Sequence, residues 1–127
     1  MNQLLTLCYI ALGGAFGACS RYLATELCAT LLGKGFPYGT FTVNVIGSFI
    51  MGVLVAALEN GTIAPEPWRQ IIGIGFLGAL TTFSTFSMDN VLLLQGGALF
   101  KMSINIVLNV TLSISFAWVG FQLLTRS

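Results

Sequence analysis

Histidine is absent from the chain, and charge is scarce: five basic and four acidic residues among 127, or 7%. The commonest general base, metal ligand and proton shuttle is therefore missing. A net charge of +1 with no basic run leaves nothing to neutralise a phosphate backbone, which excludes nucleic-acid binding. Cys8, Cys19 and Cys28 are odd in number and share the first apolar segment, so they build neither a disulfide framework nor a zinc-ligand spacing. They read as small apolar residues. With no His, no Cys pair and no mid-span carboxylate pair for general acid/base work, the composition disfavours an enzyme.

What the chain does contain is apolar. It is 56% hydrophobic with a mean hydropathy of +0.92, whereas about a quarter of a soluble domain is charged. The composition is that of an integral membrane protein with a single domain, 1–127, of four spans at about 4–32, 40–58, 71–95 and 99–124. The first run lacks the basic start of a secretory leader and continues past a typical h-region, so it is expected to be a retained span. It is longer than one crossing needs and should tilt or project. Gly13 and Gly17, with Gly14 and Ala18 beside them, put small residues on adjoining stripes where a neighbouring backbone can approach. Turns fall at Gly33 to Gly39, at Glu59 to Arg69 with Trp68 suited to the interface, and at Gly96-Gly97.

Three places interrupt this apolar pattern. Asn44 shares a helix face with Gly47, Ser48 and Met51; such an Asn is either interhelical glue or part of a site. Asn105, Asn109 and Ser113 recur at intervals of four, a polar stripe suited to protein or water rather than lipid. The densest interruption is Gly78 to Ser87, with five hydroxyl residues and two Phe. Ten residues from Ile71 to Leu80 climb about 15 Å, half of a hydrocarbon core about 30 Å thick. Polar or irregular backbone at that depth needs protein or a water-filled cavity around it. The third span is therefore expected to break near the bilayer midplane, beside a permeation path.

Four spans leave both termini on one side. Basic residues then tie, Arg69 and Arg126 against Lys34 and Lys101, unless Arg21 is counted with the latter pair. Since Lys and Arg fix topology, insertion in both orientations is expected, and opposite copies could pair about an in-plane two-fold axis. Such an antiparallel homodimer would also supply an interior for Asn44, Asn109 and the hydroxyl cluster. Facing ends of two first half-helices, around Gly78 to Thr81, would present carbonyls and negative dipole ends suited to a monovalent cation, a point that composition alone leaves open.

The motifs Gly13-Gly14-x-x-Gly17-Ala18-x-x-Arg21-Tyr22, Gly39-Thr40-x-x-Val43-Asn44-x-x-Gly47-Ser48 and Gly78-x-x-Thr81-Thr82-Phe83-Ser84-Thr85-Phe86-Ser87 together resemble the CrcB or Fluc family of small fluoride export channels. The resemblance covers nearly the whole chain, and the third motif is highly specific. It implies a passive fluoride channel of the bacterial inner membrane, assembled as an antiparallel, dual-topology homodimer with two pores. It also implies a structural sodium ion at the dimer centre, held by the backbone carbonyls of Gly78 and Thr81 from both subunits. Phe83 and Phe86 match the family's pore aromatics, Asn44 its pore amide, and Asn109 and Ser113 its fourth-helix polar track, where relatives commonly carry small hydroxyl residues at the position of Asn109. Arg21 matches a vestibule residue. Asp89 stands where the family has the longer Glu.

The chemistry of these side chains suits that task. Fluoride holds water tightly, so a narrow pore must replace its shell with donors: two N–H of Asn44 and the hydroxyls of Ser84, Thr85 and Ser113. The positive ring edges of Phe83 and Phe86 attract an anion weakly, and weak multiple contacts favour conduction; ordinary packing is the alternative for two Phe at this spacing. Arg21 either snorkels to the interface or attracts anions. The rival reading is a small multidrug-type proton-coupled antiporter, also of four short dual-topology spans. It requires a titratable carboxylate near mid-membrane, and none is found there.

Overall fold

The computed structural model describes residues 1–125, so Arg126, which enters the charge tie above, lies outside the described residues. The described chain is helical, with α1 at Gln3–Leu32, α2 at Tyr38–Glu59, a π-helical segment π1 at Arg69–Leu77, α3 at Gly78–Leu80, α4 at Phe83–Gln95 and α5 at Leu99–Thr125. Taking Arg69–Gln95 as one crossing, four helical stretches are long and apolar enough to span a bilayer, and the chain is a multi-pass membrane protein.

Missing side chains bring the helices together. On α1 only Gly13 and Gly17 are buried, and both lie under π1. A Cβ at Gly13 would sit 1.9 Å from the Ile71 carbonyl oxygen, and one at Gly17 2.2 Å from that of Phe76. The opposing Gly75 would place its own Cβ 2.6 Å from Ile10 O, so backbone meets backbone from both sides. α2 and α5 cross with equal intimacy: a Cβ on Gly52 would lie 2.0 Å from Ala117 O, and one on Gly120 2.3 Å from Phe49 O. Phe49 and Phe116 close that crossing edge to face, centroids 6.3 Å apart at 74°.

The core is small: Val43, Leu54, Leu77 and Leu80, with Ile50, Met51 and Phe76 packed around them. It joins α2 to the first part of the third crossing. π1 and α3 dock on α1, whereas α4 leaves α1 and packs on α5. The two parts of one crossing thus have different neighbours, and the chain changes partner at Thr81 and Thr82.

Candidate functional site

Thr81 and Thr82 are extended, with φ −83°, ψ 155° and φ −151°, ψ 125°. The nine-residue π1 and three-residue α3 precede them and the thirteen-residue α4 follows, so the extended pair sits midway along the crossing. The coil before it is already loosened, the Gly78 N–H reaching back to Gly73 O in the i→i+5 pattern. A helix that stops inside apolar surroundings leaves carbonyls and N–H groups to be satisfied by other means.

Side chains from three helices do so. From α1, Arg21 donates its Nε–H to Ala79 O at 3.0 Å. A cation thereby caps the negative end of α3, and the carbonyls expected to be unpaired at this end are in part already engaged. From α2, the Asn44 amide pairs with both backbone groups of Thr82: Oδ1 accepts from its N–H at 2.8 Å and Nδ2 donates to its carbonyl at 3.1 Å. Gly47, one turn further on, leaves room for Thr81, since a Cβ there would fall 2.4 Å from Thr81 Cγ2. Thr82 itself caps α4, its Oγ1 accepting from the Thr85 N–H at 3.1 Å.

The second Nδ2 hydrogen of Asn44 is used as well, donated to Asn109 Oδ1 at 3.1 Å. Asn109 in turn donates to Asn105, to its backbone carbonyl at 2.9 Å and to its Oδ1 at 2.8 Å. Asn105, fully buried, donates to Asn90 Oδ1 at 2.8 Å. Both Asn44 N–H bonds are therefore committed within the protein. This corrects the sequence-based picture of Asn44 as a free double donor.

Two clefts flank the start of α4. The first, about 290 Å³, is lined by Asn44, Phe83, Phe86, Asn109 and Ser113. Phe83 is 77% exposed and Phe86 8%, their rings tilted at 53° with centroids 5.6 Å apart. Ser113 lines this cleft, and its Oγ is buried without a hydrogen-bond partner. The second cleft, about 410 Å³, is lined by Thr85 together with Thr40, Asp89, Glu26 and Lys34. The Asp89 Oδ2 is buried beside this cleft without a hydrogen-bond partner.

Of the residues singled out from sequence, then, Asn44, Phe83, Phe86, Asn109 and Ser113 share one cleft. Thr85 belongs to the other. Ser84 is exposed, lines neither, and has its Oγ 3.4 Å from Thr82 Oγ1. Arg21 acts on the end of α3, beside Gly78 and Thr81. Asn105 stood in the polar stripe of α5 without a role of its own, and Asn90 was signalled only as an amide within an apolar run. Among the described residues, no group of three or more His, Cys, Asp or Glu side chains is placed to hold a metal ion.

A family profile described as CrcB-like protein, Camphor Resistance (CrcB), matches residues 8–121. A protein of Vibrio vulnificus is 76% identical over 124 residues, covering 98% of both chains. One from Vibrio campbellii is 73% identical over 127 residues, the whole of both. A third, from Photobacterium profundum, is 64% identical over 127 residues, again end to end. Each of the three bears the name fluoride-specific ion channel FluC.

Proposed function

The chain belongs to the CrcB-like family, and we propose that it is a fluoride-selective channel that exports fluoride passively, protecting the cell from its toxicity. The observation that carries this reading is the cleft beside the extended pair. There Ser113, whose Oγ is buried without a hydrogen-bond partner, lines the same space as Phe83 and Phe86. An anion losing water needs donors that are fixed in place but few in number, so that it can leave again. Ser113 Oγ–H is one such donor, and the ring edges supply weak positive potential without a full charge. Asn44 and Asn109 shape the wall. The donors they could offer are hydrogen-bonded to the protein, so an ion can take one only in exchange for an internal bond.

A passive channel fits better than the antiporter. The cleft lining contains no Asp, Glu, Lys or Arg, and the one carboxylate on α4, Asp89, lies in the other cleft. Proton coupling would require such a group on the path. The name its relatives carry, fluoride-specific ion channel, supports a channel rather than an enzyme.

The assembly we propose is an antiparallel, dual-topology homodimer in the bacterial inner membrane. Phe83 is open on the surface of a single chain, as is Gly78, and a second copy would cover this face. The third crossing of each copy would then be broken near the bilayer midplane, with the two interruptions apposed. A structural sodium ion between them would be held by the carbonyls of Gly78 and Thr81 from each copy. The residues fit that ion: they lie in and just after the last turn before the extended pair, they offer hard oxygen without carboxylates, and the extended ψ of Thr81 turns its carbonyl out of the helical direction. Bound there, sodium would neutralise the facing carbonyl dipoles. Arg21 already provides this service to Ala79 O.

Fluoride efflux from liposomes containing the purified protein tests the proposal. A channel gives rapid efflux that is indifferent to an imposed proton gradient, whereas efflux strictly coupled to protons would establish the antiporter.

A further inference from the structure

We infer that Asn90 and Asn105 are positioning residues for Asn44, and through it for the backbone of Thr82, acting by a head-to-tail relay of four side-chain amides. The orientation of each amide follows from the one before it. The Thr82 N–H can only donate and its carbonyl can only accept, so Asn44 must turn Oδ1 to the first and Nδ2 to the second. The remaining Nδ2 hydrogen then requires an acceptor on Asn109, which fixes Asn109 with its own Nδ2 toward Asn105. The backbone carbonyl of Asn105 accepts from the same nitrogen and agrees with that assignment. Asn105 must consequently present Oδ1 to Asn109 and Nδ2 to Asn90, whose Oδ1 closes the series. Every bond lies between 2.8 and 3.1 Å, and no member can reverse unless its neighbours reverse too.

The relay links α2, α5 and α4 with the point where the third crossing changes partner. Asn90 stands on α4, the part that follows the extended pair, and Asn44 grips the pair itself. The series thus ties α4 to Thr82 by a route outside the backbone. Aligned amide dipoles reinforce one another, so losing the far end weakens the grip at the near end. Asn105, wholly buried, has no water with which to replace its partner.

The flux arm of the test rests on the fluoride-channel reading; the spectroscopic arm does not. In the intact wild-type protein, labelled with ¹⁵N and purified in detergent, the side-chain N–H protons of Asn44, Asn105 and Asn109 are expected to exchange slowly with solvent. Rapid exchange at all three overturns the relay whatever any variant does. In Asn90→Ala the Asn44 side-chain resonances shift although residue 90 bonds to Asn105 and not to Asn44, and fluoride efflux falls roughly three- to tenfold, the range for one lost hydrogen bond. A folded Asn90→Ala with Asn44 resonances unmoved overturns the inference. If the wild type passes no fluoride, the channel reading fails, and exchange and resonance positions still decide the relay.

Discussion

Replacing Asn44 by Asp changes the chemistry of the grip on Thr82 with almost no change in shape. The acceptor to the Thr82 N–H at 2.8 Å is retained, but the nitrogen that donates to Thr82 O and to Asn109 Oδ1, at 3.1 Å each, becomes an oxygen. Ionised, the carboxylate faces two acceptors and donates to neither; protonated, it can restore only one bond. An unsatisfied buried acceptor costs about 1–3 kcal/mol. Asn44 is only half-buried, so the low end applies to both, giving about 2 kcal/mol in total, or roughly 30-fold in the population of the intact arrangement. Negative charge beside an anion path acts in the same direction. Fluoride efflux from proteoliposomes should fall at least tenfold, with a lower thermal transition in detergent. Asn44→Leu separates the two causes, because it removes all three bonds and adds no charge. Should Asn44→Leu conduct and melt like the wild type, Asn44 does not hold the extended pair.

The other expectations divide packing from permeation. Ser113→Ala removes a hydroxyl with no internal partner, so the thermal transition should stay within about 0.5 kcal/mol of wild type while fluoride efflux drops; unchanged efflux would remove Ser113 from the path. Phe86→Ile and Phe83→Ile should each lower efflux while the assembly, measured by size-exclusion chromatography, stays intact. Gly52→Ala forces a Cβ to 2.0 Å from Ala117 O and should destabilise by about 1–3 kcal/mol. Gly14→Ala, whose Cβ would meet nothing closer than 3.9 Å, should be neutral in the same melting assay. A reporter fused at the C-terminus should give signal from both sides of the membrane, and signal from one side alone would refute dual insertion.

Much of the architecture was legible because hydrophobic runs and turn residues mark spans directly: Gly33 to Gly39 and Gly96-Gly97 divide apolar stretches that the structure shows as helices. The close approach at Gly13 and Gly17 was legible for the same reason, since small residues four apart form one stripe. The hydroxyl cluster announced an irregularity, but its side chains could not be apportioned. Thr85 and Phe86 are adjacent in sequence, and a helix turns about 100° per residue, so they face different clefts. Arg21 offered two readings from sequence, snorkelling and anion attraction. Its bond to Ala79 O, 58 residues away, depends on how α1 and α3 meet, which no local pattern encodes. Asn44 was found by type but given the wrong free groups, because its partners come from α5 and from the backbone of Thr82. Asn90 was passed over for the same reason: a single amide on α4 acquires meaning only when Asn105 is seen opposite it.

The central claim is that the cleft between Asn44, Phe86 and Ser113 passes fluoride in preference to other halides. Efflux of fluoride and of chloride, compared in liposomes holding the purified, full-length protein, tests it most directly. Fast fluoride efflux beside chloride release no faster than from protein-free vesicles is the result expected; equal rates for the two ions, or none for fluoride, would contradict the account.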